Sequence, residues 1–153
     1  MFKKSLIAVL FSFIMAMVLG TSVFAADNGE VVKVDVAKEM TPEIASALLE
    51  VNKTNDKIYA EIEKAVIESE KMYNKYLEQK AKQVNPEKLA KLNADYKKKS
   101  DKLIADLKIK TEKMTLKGIE KAEKAGLVVA IEWVPIKFAD RIEMIDPIVV
   151  IAW

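Results

Sequence analysis

The stretch TPEIASALLEVNKTNDKIYAEIEKAVIESEKMYNKYLEQKAKQVNPEKLAKLNADYKKKSDKLIADLKIKTEKMTLKGIEKAEK, residues 41–124, decides the fold. It holds one interior proline, Pro86, and one glycine, Gly118, in a background of Lys, Glu, Ala, Leu and Ile, most of them strong helix formers. Thr41-Pro42-Glu43 and Asn85-Pro86-Glu87 repeat one grammar: a capping side chain, a proline where its missing N–H costs nothing, and a carboxylate in the positive first turn. Two helices therefore start, at about 42 and about 86. Asn85, restricted by the following proline, ends the first, and Val84 is placed to staple onto Leu89. Gly126, preceded by Lys121 and Lys124, ends the second.

The apolar stripes favour pairing of the two helices into an antiparallel, coiled-coil-like hairpin; one kinked helix is the competing arrangement. In the first, Ile44, Leu48, Val51, Asn55, Ile58, Ile62, Ala65, Ser69, Met72 and Tyr76 alternate spacings of four and three. In the second, Tyr96, Ser100, Leu103, Leu107, Thr111, Met114, Gly118 and Ala122 run closer to a straight-helix period. Asn55, Ser69, Ser100, Thr111 and Gly118 are weak core positions, so the seam is patchy, and its far half is expected to be mobile or completed by another subunit. Turning near Asn85 sets opposite positions whose numbers add to about 170, bringing Lys121 near Glu50, Lys113 near Asp56 and Lys102 near Glu68. Acid-first pairs four apart (Glu78–Lys82, Glu87–Lys91, Asp95–Lys99, Asp106–Lys110, Glu120–Lys124) are expected to stiffen the helices by ~0.2–0.5 kcal/mol each.

Strand-like segments flank the helices. Val31–Val36 alternates valines with Lys33 and Asp35, and Leu127–Val134 and Ile148–Trp153 are apolar on nearly both faces. The expected fold is α+β: a long helical hairpin on a small mixed sheet of N- and C-terminal strands. Residues 1–25 read as a signal peptide: Lys3 and Lys4, an apolar run Leu6–Leu19, and Val23-Phe24-Ala25 before a cut after Ala25. An uncleaved anchor is the alternative. Residues 26–153 then form one extracytoplasmic domain, with a strand region at 26–40, the hairpin at 41–125 and a β region at 126–153.

Charge and composition set exclusions. The 25 basic and 23 acidic side chains become 23 of each once Lys3 and Lys4 are removed, and lysine outnumbers arginine 24 to 1. Neither fact favours nucleic acid as a partner, and a membrane enters only through an uncleaved signal segment. Without His or Cys there is no Ser-His-Asp or Cys-His nucleophile, no usual zinc site and no disulfide. Glu132, Asp140, Glu143 and Asp146 are the most enzyme-like cluster, but their spacing matches no calcium loop and the ordinary reading is the polar rim of a sheet. No catalytic residue, metal or cofactor is expected. Lys110, Lys113, Lys117, Lys121 and Lys124 form a ridge whose simplest role is cross-helix pairing, with an acidic client or wall polymer as the alternative.

The apolar C-terminal strand needs cover, from the helix base or from another subunit through a homo-oligomer. Trp133 and Trp153 are read as core or interface residues, and Ile109, Leu116 and Ile119 as a second apolar row meeting either. The expected function is a noncatalytic protein-interaction or scaffold module with an unidentified protein partner. Strand, helical hairpin and strands behind a signal peptide, with Val31–Val36 and Leu127–Ile131 as strands, is an element order that resembles the Skp (OmpH-like) periplasmic chaperones. That resemblance implies a holdase whose helical tentacles rise from a trimerising β-body; this chain departs from it by ending in an apolar strand rather than a helix.

Overall fold

A computed structural model describes residues 40–153; the signal segment and the strand expected at Val31–Val36 lie outside the described residues. The chain is α+β, with two long helices packed on each other, α1 (Pro42–Ala81) and α2 (Pro86–Lys124), followed by β1 (Val128–Ile131), β2 (Val134–Lys137), β3 (Ile142–Ile145) and β4 (Ile148–Ala152). Both starts form as the sequence implies. Thr41 Oγ1 accepts from Ile44 N–H and Asn85 Oδ1 from Lys88 N–H, each with proline in the first turn. Gly126, at φ +88°, takes the left-handed conformation that ends α2, and Leu127 N–H closes back onto Ala122 C=O.

Two details differ at the turn. Helix α1 stops at Ala81 rather than at Asn85, because Lys82 and Gln83 turn their N–H groups back onto Gln79 and Lys80, and the Gln83 side chain accepts from Asn85 N–H. Val84 is 94% exposed, so the staple onto Leu89 is not made. Between the helices the register is close to that expected: Tyr76 meets Asn93, Glu61 meets Lys110, and Glu50 lies 3.9 Å from Lys121. Of the five acid-first pairs only Glu120–Lys124 closes, at 2.6 Å; Lys110 goes across to Glu61 instead, at 2.7 Å.

Among the described residues the β region is antiparallel throughout, in two two-stranded sheets, and the N-terminal strand expected beside it lies outside them. The two sheets form one long antiparallel hairpin, laid along the groove between the helices. β1 pairs with β4 and β2 with β3, and partner numbers add to 279 from Val129↔Val150 to Lys137↔Ile142. Phe138 N–H donates to Arg141 C=O across the two-residue turn Ala139-Asp140, and Glu132 N–H donates to Pro147 C=O where the strands are interrupted. Through that interruption the inward face changes phase. Val129, Ile148 and Val150 join the core at the base, whereas Ile136, Phe138 and Ile145 join it higher up. Both strands switch together at 132–133 and 146–147, so the pairing register survives and the hairpin coils over the helices.

Four of the five weak seam positions, all but Ser100, are where the hairpin docks. Asn55 donates through Nδ2 to Ile148 C=O at 2.8 Å and accepts at Oδ1 from Ile148 N–H at 2.9 Å, acting as a short strand against the edge of β4. Ser69 Oγ accepts from Ala139 N–H at 3.1 Å, fixing the turn. Thr111 donates to the Asp146 carboxylate at 2.9 Å and Thr115 to the Asp146 C=O at 2.6 Å. Gly118 leaves the space that the Ile148 side chain fills, since a Cβ there would collide with Ile148 Cδ1. At these positions the chain's own C-terminal segment fills the patchy seam. Phe138, Ile145 and Ile148 are 2%, 0% and 4% exposed, and burial of such side chains contributes about 1.5–3 kcal/mol each.

Candidate functional site

The four carboxylates singled out in the C-terminal region do not gather. Glu143 pairs with Lys108 at 2.6 Å, Asp146 is buried against Thr111 and Thr115, and Asp140 pairs with Arg141, which also reaches Asp101 on α2. Glu132 is exposed on the link between β1 and β2. The hydrogen bond from Arg141, with a smaller contribution from Tyr96, holds the Asp140 carboxyl below the usual range. Among the described residues no group of three or more carboxylates is close enough to hold a metal ion. Glu143, Asp146 and the Asp140–Arg141 pair fasten the β-hairpin to the helices.

Three tyrosines sit just above the β-turn. Tyr76 stacks on Tyr73 and Tyr96, which are tilted to each other, with centroid separations of 4.4–6.0 Å, and Lys80 lies over the Tyr76 ring. Burial, then the hydrogen bond with Asp140, pushes the Tyr96 hydroxyl up to about 12. These are seam residues, as their helical spacing implies. The cluster bridges the helices and receives Asp140 from the turn.

The surface left without a structural task is the outer side of the β-hairpin. In the lower half Val128, Val149 and Ile151 turn away from the helices; in the upper half Pro135, Ile142 and Met144 do, with Pro135 and Met144 directly opposite. Trp133, at the interruption, is 61% exposed, and Ile142 and Ile151 are 66% and 64% exposed. Trp153, by contrast, packs into the base cluster with Ile44 and Leu127. Ile119 joins that cluster too, while Ile109 and Leu116 of the same row stay exposed.

Among the described residues no further strand pairs with either edge of the hairpin. The bonds from Glu132 and Phe138 set the phase of the ladder, so even positions on the first strand face their partner and odd ones face away. On the opposite strand the outward groups of Asp146 and Ile148 are taken by Thr115 and Asn55. On the first strand the outward positions are Val129, Ile131 and Trp133, and then Pro135, which has no N–H to lose. Natural edges of this kind usually carry lysine or a bulge; Val128–Ile131 carries no charge, and its one irregularity falls at the start, between Val128 and Val129.

The alternating valine and isoleucine of the C-terminal strands marks this surface in the sequence, but not which side is docked. That depends on Asn55 and Thr115, 93 and 31 residues away from their strand partners. Among the described residues no helix is long and apolar enough to cross a membrane. Comparison with protein-family models, with characterised proteins and with solved structures gives no match for this chain.

Proposed function

We propose that the chain is a noncatalytic, extracytoplasmic protein-interaction module, in which the helical hairpin is the rigid support and the outer side of the β-hairpin the binding surface. The observation that carries this reading is the exposure of Trp133, Ile142 and Ile151 on a hairpin whose other side is fastened by five side-chain hydrogen bonds from Asn55, Ser69, Thr111 and Thr115. A soluble protein seldom leaves so many large apolar groups on one coiled ribbon without a partner to cover them. The backbone edge at Val129–Trp133, unpaired by any other described strand, adds a second mode, in which an extended segment of the partner extends the sheet. The partner is a protein with an apolar or extended surface.

The test is photo-crosslinking in the native host from probes at Trp133 and Ile142, with a probe at Lys113 as the helix-surface control. Discrete adducts from the two strand positions and none from Lys113 are expected. Equal labelling from all three would refute the surface. The same exposed ribbon also supports the holdase reading, which makes a different prediction: the protein suppresses aggregation of unrelated unfolded proteins at equimolar ratio, and Trp133→Lys weakens that suppression. A holdase resembling Skp would use bare helices. Here much of the helical pair carries the β-hairpin, so the strands rather than the arm would hold the client.

A further inference from the structure

The whole-chain balance of charge hides a segregation. Residues 70–99, the end of the helical hairpin beyond the β-turn, hold nine lysines against four carboxylates, a net charge of +5. The remaining described residues hold twelve basic side chains against fifteen acidic ones, net −3. Every described ion pair lies in that remainder: Glu50, Glu61, Asp101, Glu120, Asp140 and Glu143 each take a cation, and none of the nine distal lysines lies within ion-pair distance of a described carboxylate. At the apex stands Val84, 94% exposed, the most exposed of the large apolar residues described. Lys82 and Lys88 flank it in the chain, and Lys91 shares with them a shallow open groove beside Gln79 and Gln83.

From this geometry we infer that the apex docks on an anionic lipid surface. The apex presents a projecting valine beside three lysines that make no ion pair among the described residues, Lys82, Lys88 and Lys91, with Asp95 the one acidic side chain in their groove. That arrangement suits a flat array of negative headgroups, into which one apolar side chain dips while flexible ammonium groups spread over many phosphates. A peptide partner would call for an apolar cleft, and the groove at the apex is lined almost wholly by polar side chains. The region contains no arginine, so it lacks the planar fork that paired recognition of single phosphates or bases favours. With the apex on the lipid, the β-hairpin surface is carried away from the bilayer along the helices, which places the two surfaces at different heights on one rod.

The chain has no cysteine, so Val84→Cys in the full-length protein gives a single site for an environment-sensitive dye. The probe is added to vesicles of phosphatidylglycerol with phosphatidylcholine, and to vesicles of phosphatidylcholine alone. Dye emission is expected to shift to the blue on the anionic vesicles only, and to revert at about 0.5 M salt. At about fivefold in partitioning per basic residue, Lys82→Gln, Lys88→Gln and Lys91→Gln together raise the lipid concentration for half the shift about a hundredfold. Lys57→Gln, Lys113→Gln and Lys117→Gln together, the same loss of charge elsewhere, leave it unchanged. Equal shifts on both kinds of vesicle, or equal effects of the two triple variants, would overturn the inference. A dye that ignores vesicles but responds to soluble polyglutamate would assign the apex to an acidic polypeptide instead.

Discussion

Replacing Asn55 by alanine tests the central packing argument. The amide makes two hydrogen bonds, 2.8 and 2.9 Å long, to the two backbone groups of Ile148, a residue 4% exposed. Alanine leaves a buried N–H and a buried C=O without partners, each costing about 1–3 kcal/mol, so the expected loss is roughly 2–4 kcal/mol after partial relaxation. With a urea slope of about 1–3 kcal/mol per molar for a domain of this size, the midpoint falls by about 1–2 M, and the Ile148 amide loses its protection from hydrogen exchange. Asn55→Asp sharpens the test. An ionised carboxylate still accepts from Ile148 N–H but faces Ile148 C=O, so near neutral pH it is at least as damaging as alanine. Protonation restores a donor, and part of the loss is recovered in acid. If Asn55→Ala costs less than about 0.5 kcal/mol, or leaves Ile148 protected, Asn55 does not hold the β4 edge and the account of the polar seam is wrong.

Other perturbations probe the same groove. Thr115→Val keeps the shape but leaves the Asp146 C=O unpaired, and is expected to cost about 1–3 kcal/mol in chemical denaturation. Gly118→Ala should be nearly neutral, because the gain of about 1 kcal/mol in helix propensity offsets a small shift of the Ile148 methyl, whereas Gly118→Leu displaces β4 and costs at least about 1–3 kcal/mol. Trp133→Ser, at an exposed position, should stay within about 0.5 kcal/mol of the parent while removing partner adducts. Tyr96 has its folded pKa raised from 10.0 to about 12, so its contribution is intact below pH 10 and is lost as pH rises toward 12; Tyr96→Phe should flatten that limb of the stability profile. Asp140, lowered chiefly by its hydrogen bond to Arg141, contributes above the ordinary carboxylate range and loses that contribution as pH falls through its depressed value, a limb that Asp140→Asn should remove.

The helices were legible because their signals are local. Thr41-Pro42-Glu43, Asn85-Pro86-Glu87 and Gly126 each act within one turn, and all three govern helix ends in the structure. The cross-helix register followed from them, as the approach of Glu50 to Lys121 shows. The position of the β region was not legible, since it depends on partners far apart in the chain. Asn55 and Thr111 look like defects when the helices are read as a closed pair, and become hydrogen-bonding partners only once a third layer is present. Ile104 and Thr115, buried in the structure but absent from the seam inferred from periodicity, belong to this second row facing the strands. The outer apolar side was visible as two-faced strands, but sequence alternation cannot say which face a distant asparagine will claim.

The polar groove also explains why the β-hairpin docks in one register. A purely apolar groove would let a coiled ribbon of valine and isoleucine slide, because dispersion and desolvation are nearly indifferent to small displacements. Here each polar group meets one particular backbone atom: Asn55 the edge of Ile148, Thr115 the C=O of Asp146, Ser69 the N–H of Ala139. A slip of one residue would leave these groups unpaired in a buried site, at about 1–3 kcal/mol for each. The same slip would drive Ile148 away from the space over Gly118 and turn the outer apolar side toward the helices. The residues that weaken the helix pair as a coiled coil thus fix which side of the ribbon faces outward, and so determine the surface available for binding.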